Sequence, residues 1–341
     1  MCGIYGYSNL ERKKRLEVKE LENIISWLGV CNQSRGKDST GIATVDTSNK
    51  YNIIKKTIPA NGFFKAGRVK DFINYNVHLE TKTIIGHTRF ATTGKVNRLN
   101  AMPFKSGKIL GSHNGMIWNY EELFKEHKIR PETKCDSEII FALLNKFPAT
   151  MGGREDALKL LDGVFALAWY DNREPNKMFF ARQSNPLSIY KHLESGAIFW
   201  SSEEHVMQEL NKLLGDTLTK IEISDNTILS IDDKGQLAYL VMPVYDYTKS
   251  FQSFKTLDSE ESWNRPSKEY LVWQEKHEAK YNKRRGRCDN CRHKSRNLIH
   301  DPNFELLLCK ACYKAYQEKY SDMLPESNFY NRHYYEDGYT N

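Results

Sequence analysis

No stretch of this 341-residue chain is apolar for long enough to make a membrane-spanning helix, so no membrane partner is expected. A secretory pattern is missing as well, because the basic cluster Arg12, Lys13, Lys14 and Arg15 follows the short apolar start instead of preceding a longer apolar core. A cytoplasmic location is the expectation. The chain has no internal repeat and no strong low-complexity tract, which argues against solenoid and fibrous architectures. It also lacks a P-loop and any dinucleotide-binding fingerprint, so nucleotide-driven chemistry has no visible seat. Cysteine is sparse over most of its length: Cys2, Cys31 and Cys135 lie far apart, and the other four crowd together near the C-terminus. That distribution suits a reducing compartment and a metal site better than a disulfide framework.

What remains is ordinary globular material, 40% hydrophobic and 12% aromatic, in a chain long enough to bury a substantial core. The net charge of +7 is unevenly spread. Lys280, Lys283, Arg284, Arg285, Arg287, Arg292, Lys294 and Arg296 come close together, a patch that would attract phosphates, nucleic acid or an acidic protein, or simply form a solvated face. The richness in Lys, Asn, Ile and Tyr hints at an AT-rich genome such as a phage's. Short β-like runs alternating with turn residues predict strands at CGIYGYS, GIATVD, TIIGHTRF, KILGSHNG, VFALAWYD, KMFFARQ, AIFWSS, TILSIDD and LAYLVM. Helical spacing fits Leu16 to Leu28, Tyr120 to His127, Ser137 to Lys146 and Arg154 to Leu161.

Cys2 directly follows the initiator Met1. Loss of Met1 would put a thiol and a free α-amine on one residue, a nucleophile with its base attached. With Met1 kept, that nitrogen is an amide and cannot act as a base, and Cys2 is a small packed residue at the start of a strand. Chemistry-bearing segments follow: RGKDSTGIA from Arg35, GHTRFATTG from Gly86, SHNGMIWNYEEL from Ser112 and CDSEII from Cys135. His87 and His113 lie inside predicted strands and are expected to be packed, not ligating.

Together with NAMPF (Asn100 to Phe104), DGVFALAWYD, ARQSNPL and SSEE, these segments make roughly the first 240 residues resemble the class II glutamine amidotransferases, whose glutaminase domain is an N-terminal-nucleophile hydrolase. The resemblance implies an α+β fold, a four-layer αββα sandwich. It implies Cys2 as nucleophile, with the Asn114 amide and the Gly115 backbone N–H as oxyanion donors. Arg89 would grip the substrate carboxylate and Asp136 the α-ammonium. Thr92 would line the same pocket in a covering loop, and Arg35 would buttress the nucleophile. Each has a plainer reading in isolation: a tight turn for Asn114-Gly115, a salt bridge for Arg89, a helix cap for Asp136. The substrate implied is L-glutamine, with no cofactor for its hydrolysis.

Cys288 and Cys291, then seventeen residues, then Cys309 and Cys312 have the spacing by which two knuckles supply four thiolates to zinc, in a zinc-ribbon or treble-clef module, with an iron–sulfur site or a thiol redox pair as the alternatives. The expected organisation is therefore a glutaminase domain over 1–244, a polar, partly helical connector over 245–285, a zinc module over 286–316 and a tail over 317–341. Ammonia would pass to an acceptor synthase on a partner protein. The contrasting expectation is a catalytically silent relative that binds nucleic acid or protein through its basic zinc module.

Overall fold

The structure, a computed structural model, describes residues 2–92, 94–243, 286–287, 294–295, 298–301, 306–309 and 311. The chain divides into two compact units, Met1–Leu257 and Asp258–Asn341. The first unit begins with β1 (Gly3–Ser8), α1 (Val18–Asn32), β2 (Ser39–Asp46), β3 (Tyr51–Lys56), α2 (Ala60–Phe63), α3 (Gly67–Asn76) and β4 (Thr81–Arg89). Then come β5 (Phe104–Ser106), β6 (Ile109–Ile117), α4 (Tyr120–Glu126), α5 (Ser137–Lys146), α6 (Met151–Leu158), β7 (Gly163–Asp171) and β8 (Lys177–Gln183). It ends with β9 (Ser188–His192), β10 (Ile198–Ser201), α7 (Glu204–Leu213), β11 (Leu218–Ile221), β12 (Thr227–Asp232) and β13 (Leu237–Val241).

These strands form two antiparallel sheets, one ordered β11-β9-β10-β1-β4-β2-β3 and the other β13-β12-β8-β7-β6-β5. The side-chain period of two explains why the central strands read as near-continuous apolar runs. In β7, Phe165, Leu167 and Trp169 join one core with α4, α5 and α6, while Ala166, Ala168 and Tyr170 join another between the sheets. A third core packs α1, α2, α3 and α7 on the outer face of the first sheet. Three cores between four layers make the αββα sandwich. Aromatic pairs tie it together: Trp169 stacks on Phe179 at 5.4 Å within one sheet, and Phe180 meets Trp200 edge-on at 5.1 Å across the two. Such pairs contribute about 0.5–1.5 kcal/mol each beyond their burial.

The helix expected at Leu16 to Leu28 runs Val18–Asn32, and the one expected from Arg154 starts earlier, at Met151, where Thr150 caps it by accepting the Gly153 N–H at 3.0 Å. Ser137–Lys146 is helical over the expected span. The DDKGQ hairpin joins β12 to β13, with Gly235 at φ +71°.

In the second unit, Gly286–Arg287 (β14) pairs with Lys294–Ser295 (β15), and Leu298–Asp301 (β16) pairs with Leu306–Cys309 (β17). Cys309 thus ends a strand, whereas Cys288, Cys291, Cys312, the 245–285 connector, the 317–341 tail and most of the basic cluster lie outside the described residues. Among the described residues no helix is long and apolar enough to cross a membrane, and no group of side chains is arranged to hold a metal ion.

Candidate active site

The site lies where the ends of β1 and β4, neighbours at the centre of one sheet, approach β6 of the other. Antiparallel register sets Gly3 opposite Thr88, which places Cys2 beside the Arg89–Phe90 end of β4. Gly3 is required there: a Cβ would lie 2.6 Å from Thr88 Oγ1 and 3.0 Å from the Asn32 carbonyl. The Cys2 Sγ donates to the Phe90 carbonyl at 3.5 Å, and only 8% of the residue is exposed. Burial pushes the thiol above its ordinary pKa; the Phe90 backbone, the N-terminal charge and Arg89 pull it down without offsetting that, and Asp136 adds to the rise. The resting thiol is therefore neutral, and attack by sulfur needs a base at hand.

Arg35 closes the short 3₁₀ turn after α1 and donates from Nε to the Cys2 carbonyl at 2.7 Å, while its Nη1 pairs with Glu203. One guanidinium thereby fixes the backbone of the cysteine to the start of α7. Around it, Asn32 donates to Ser201 Oγ at 3.0 Å and accepts from Thr88 Oγ1 at 2.8 Å through its carbonyl.

Asn114 and Gly115 do not form a turn. They lie inside β6, opposite Ala166 and Phe165 of β7. Gly115 sits at φ +153°, where a Cβ would come within 1.9 Å of the Val164 carbonyl, so only glycine fits. Asn185 Nδ2 donates to the Asn114 carbonyl at 2.9 Å and pins this stretch of strand. Both the Oδ1 and the Nδ2 of Asn114 are buried and have no hydrogen-bond partner among the described residues. A buried amide without partners costs about 1–3 kcal/mol for each unpaired group, so its place needs a compensating role.

Arg89 ends β4, buried at 2% exposure, and its Nη1 donates to the Lys95 carbonyl at 3.3 Å. Asp136 stands at the N-cap position of α5 but does not cap it; its Oδ2 accepts the Ile117 N–H from β6 at 2.9 Å. The carboxylate is thus held across the end of β6, within electrostatic reach of Cys2. Thr92 is exposed on the loop after β4, whose base is fixed by the Ala91 N–H donating to Asp38 Oδ2 at 2.7 Å. The structure therefore gathers Cys2, Arg35, Arg89 and Asp136 around the end of β4, sets Asn114 and Gly115 on the facing strand, and leaves Thr92 on the rim.

His87 and His113 are packed in strands. His87 Nε2 donates to the His113 carbonyl at 3.0 Å, joining the two sheets, and burial holds its pKa down to about 3, so it stays neutral. His113 Nδ1 meets Ser137 Oγ at 2.7 Å. Sequence reasoning missed Glu203, Asn185 and Ser137. The first two lie in SSEE and ARQSNPL, segments whose order carried the resemblance but whose partners sit 168 and 71 residues away.

Two facing antiparallel sheets lie between helical layers, and Cys2 leads the central strand of one of them. The fold is shared with two solved structures, an allosteric regulatory enzyme of purine biosynthesis (TM-score 0.55) and the glutamine phosphoribosylpyrophosphate amidotransferase from B. subtilis (TM-score 0.53). Each is 22% identical, and each match covers 70% of this chain and 49% of the other. Residues 68–230 match the family described as the glutamine amidotransferase domain. Over those residues, just under half of the chain, this protein is similar to glutamine amidotransferase domains. It is 31% identical to the glutamine–fructose-6-phosphate aminotransferase (isomerizing) of Listeria monocytogenes over 245 residues, 69% of this chain and 36% of that protein. With the enzyme of that name from Bacillus subtilis it shares 34% identity over 200 residues, 55% of this chain and 30% of the relative. The chain spans about a third of the length of the curated relatives it matches.

Proposed function

We propose that this protein hydrolyses the side-chain amide of L-glutamine through Cys2 as an N-terminal nucleophile and delivers the ammonia to an acceptor enzyme on a partner polypeptide. The observation that carries the reading is the buried Asn114 amide, without a partner among the described residues, on the strand facing a buried thiol that lies in the field of Arg89 and Asp136. With Met1 removed, the α-amine of Cys2 takes the thiol proton as sulfur attacks the amide carbon. The resulting oxyanion is met by the Asn114 Nδ2 and Gly115 N–H groups. Collapse breaks the C–N bond, and the leaving nitrogen takes the proton back from the amine and departs as ammonia, leaving a thioester. Water adds to the thioester and glutamate leaves with the thiol restored. Arg89 and Asp136 supply opposite charges for the free carboxylate and ammonium of the amino acid, and Arg35 holds the Cys2 backbone in place. An acceptor for the ammonia is supported by the names of the relatives, which are aminotransferases and an amidotransferase.

The test is incubation of the full chain with L-glutamine. The expected result is glutamate and ammonia in equal amounts, with D-glutamine inert. A preparation whose mass confirms a leading Cys2 and which yields no glutamate overturns the reading.

We further propose a structural zinc at Cys288, Cys291, Cys309 and Cys312, supported by the C-x₂-C spacing and by the donor set of four thiolates. One zinc per chain is expected by elemental analysis, and its absence from protein purified without chelator refutes the assignment.

A further inference from the structure

The loop that follows Arg89 and the segment that leads into Asp136 are joined by one side chain. Asn100 is buried at 2% exposure. Its Nδ2 donates to the Lys95 carbonyl at 2.8 Å, the same oxygen that accepts from Arg89 Nη1, and its Oδ1 accepts the Lys134 N–H at 3.1 Å. Its own N–H donates to Asn97 Oδ1 at 2.8 Å, closing the loop on itself. On the far side, the Glu138 carboxylate takes the N–H groups of Glu132 and Thr133, each at 2.7 Å, so the segment gripped by Asn100 is already fixed to α5. Behind it, Lys55 Nζ donates to the Ala101 carbonyl at 2.6 Å and ties the asparagine's neighbour to β3. Gly94 completes the contact: at φ +75°, a Cβ there would lie 2.6 Å from the Lys134 carbonyl.

We propose that Asn100 is a positioning residue that latches the Thr92 loop to the Asp136 segment and so sets the spacing between the groups that grip the two charged ends of the amino acid. The inference rests on the functional reading above. An asparagine side chain offers an NH₂ donor group and a carbonyl acceptor in a single plane, as the Lys95 carbonyl and the Lys134 N–H require; aspartate keeps the acceptor and sets a carboxylate against the Lys95 carbonyl.

Asn100→Asp in the full chain is expected to raise KM for glutamine about tenfold, with kcat within about threefold of wild type, the pattern of lost uniform binding. The Kd for glutamate, measured by calorimetry, rises by the same factor. Gly94→Ala, which wedges the same contact open from the loop side, gives the same split and decides the matter should Asn100→Asp not fold. Wild-type KM and Kd in the folded variants, or a fall in kcat at unchanged KM, overturns the proposal. Wild-type protein that binds glutamate but releases none from glutamine sinks the hydrolase reading, while the comparison of Kd values still judges Asn100.

Discussion

Cys2→Ala is expected to abolish glutamate release, to less than about a thousandth of the wild-type rate, while the unfolding midpoint stays within about 3 °C. The first expectation follows from the chemistry of the buried thiol. Its pKa is raised by burial, so the sulfur is protonated at rest and attacks only as its proton is taken. A positioned general base is worth about 10²–10⁴ in rate, and nucleophile and base on one residue act as a unit, so losing either costs nearly as much as losing both. The companion variant keeps the sulfur and removes the base: an uncleaved N-terminal extension turns the Cys2 nitrogen into an amide and is expected to be as inactive as Cys2→Ala. The second expectation follows from packing. The side chain is small, its one hydrogen bond is a long thiol contact to the Phe90 carbonyl, and the backbone is held separately by Arg35. A loss of about 1 kcal/mol moves the midpoint of a unit this size by about 2–4 °C. Glutamate release, thermal unfolding and intact mass together decide the case, and full activity in either variant removes Cys2 from the mechanism.

How much of this was legible beforehand depended on where the partners of each residue lie. The central strands were plain because both of their faces are buried, so the middles of β7 (Val164–Tyr170) and β8 (Met178–Ala181) are apolar without interruption. The strands β3, β5, β9 and β11 were missed: β3 is half-buried along its length, β5 has only three residues, and β11 shows only four residues with two exposed in the middle. α3 offers only Val69 and Ile73 to the core, too few to set a period, whereas α7 carries Val206, Met207 and Leu210 on a stripe that could have been read. Motif order pointed to Cys2, Arg89, Asn114, Gly115 and Asp136. What it could not convey was how they are held. Asp136 occupies a cap position yet spends its carboxylate on Ile117 of another element, and Asn114-Gly115 reads as a turn although its backbone runs on as strand. Both outcomes are settled by neighbours distant in sequence, which local propensity does not carry.

Asn114→Ala is expected to lower kcat by about 10²–10³ with little change in KM, and to leave the protein as stable as wild type or more so. The two halves of that result have one cause. Removing an oxyanion donor withdraws an interaction made fully only when negative charge has developed on the amide oxygen, so the loss falls on the chemical step. In the folded protein that same amide is buried with no partner among the described residues for either polar atom, whereas the unfolded chain would solvate both. Deleting it relieves a desolvation cost of about 1–3 kcal/mol, against which the small void left behind counts in the other direction. The backbone should not move, because Asn185 holds the residue 114 carbonyl and the register with Ala166 is unchanged by the substitution. Asn114→Asp separates shape from donation: it keeps the volume, loses the N–H groups and buries a charge opposite a developing oxyanion, so it should be both slower and less stable than the alanine variant. Single-turnover kinetics with thermal unfolding on the three proteins reads the pattern. An alanine variant that is destabilised but catalytically intact would mean that Asn114 serves the sheet and not the reaction.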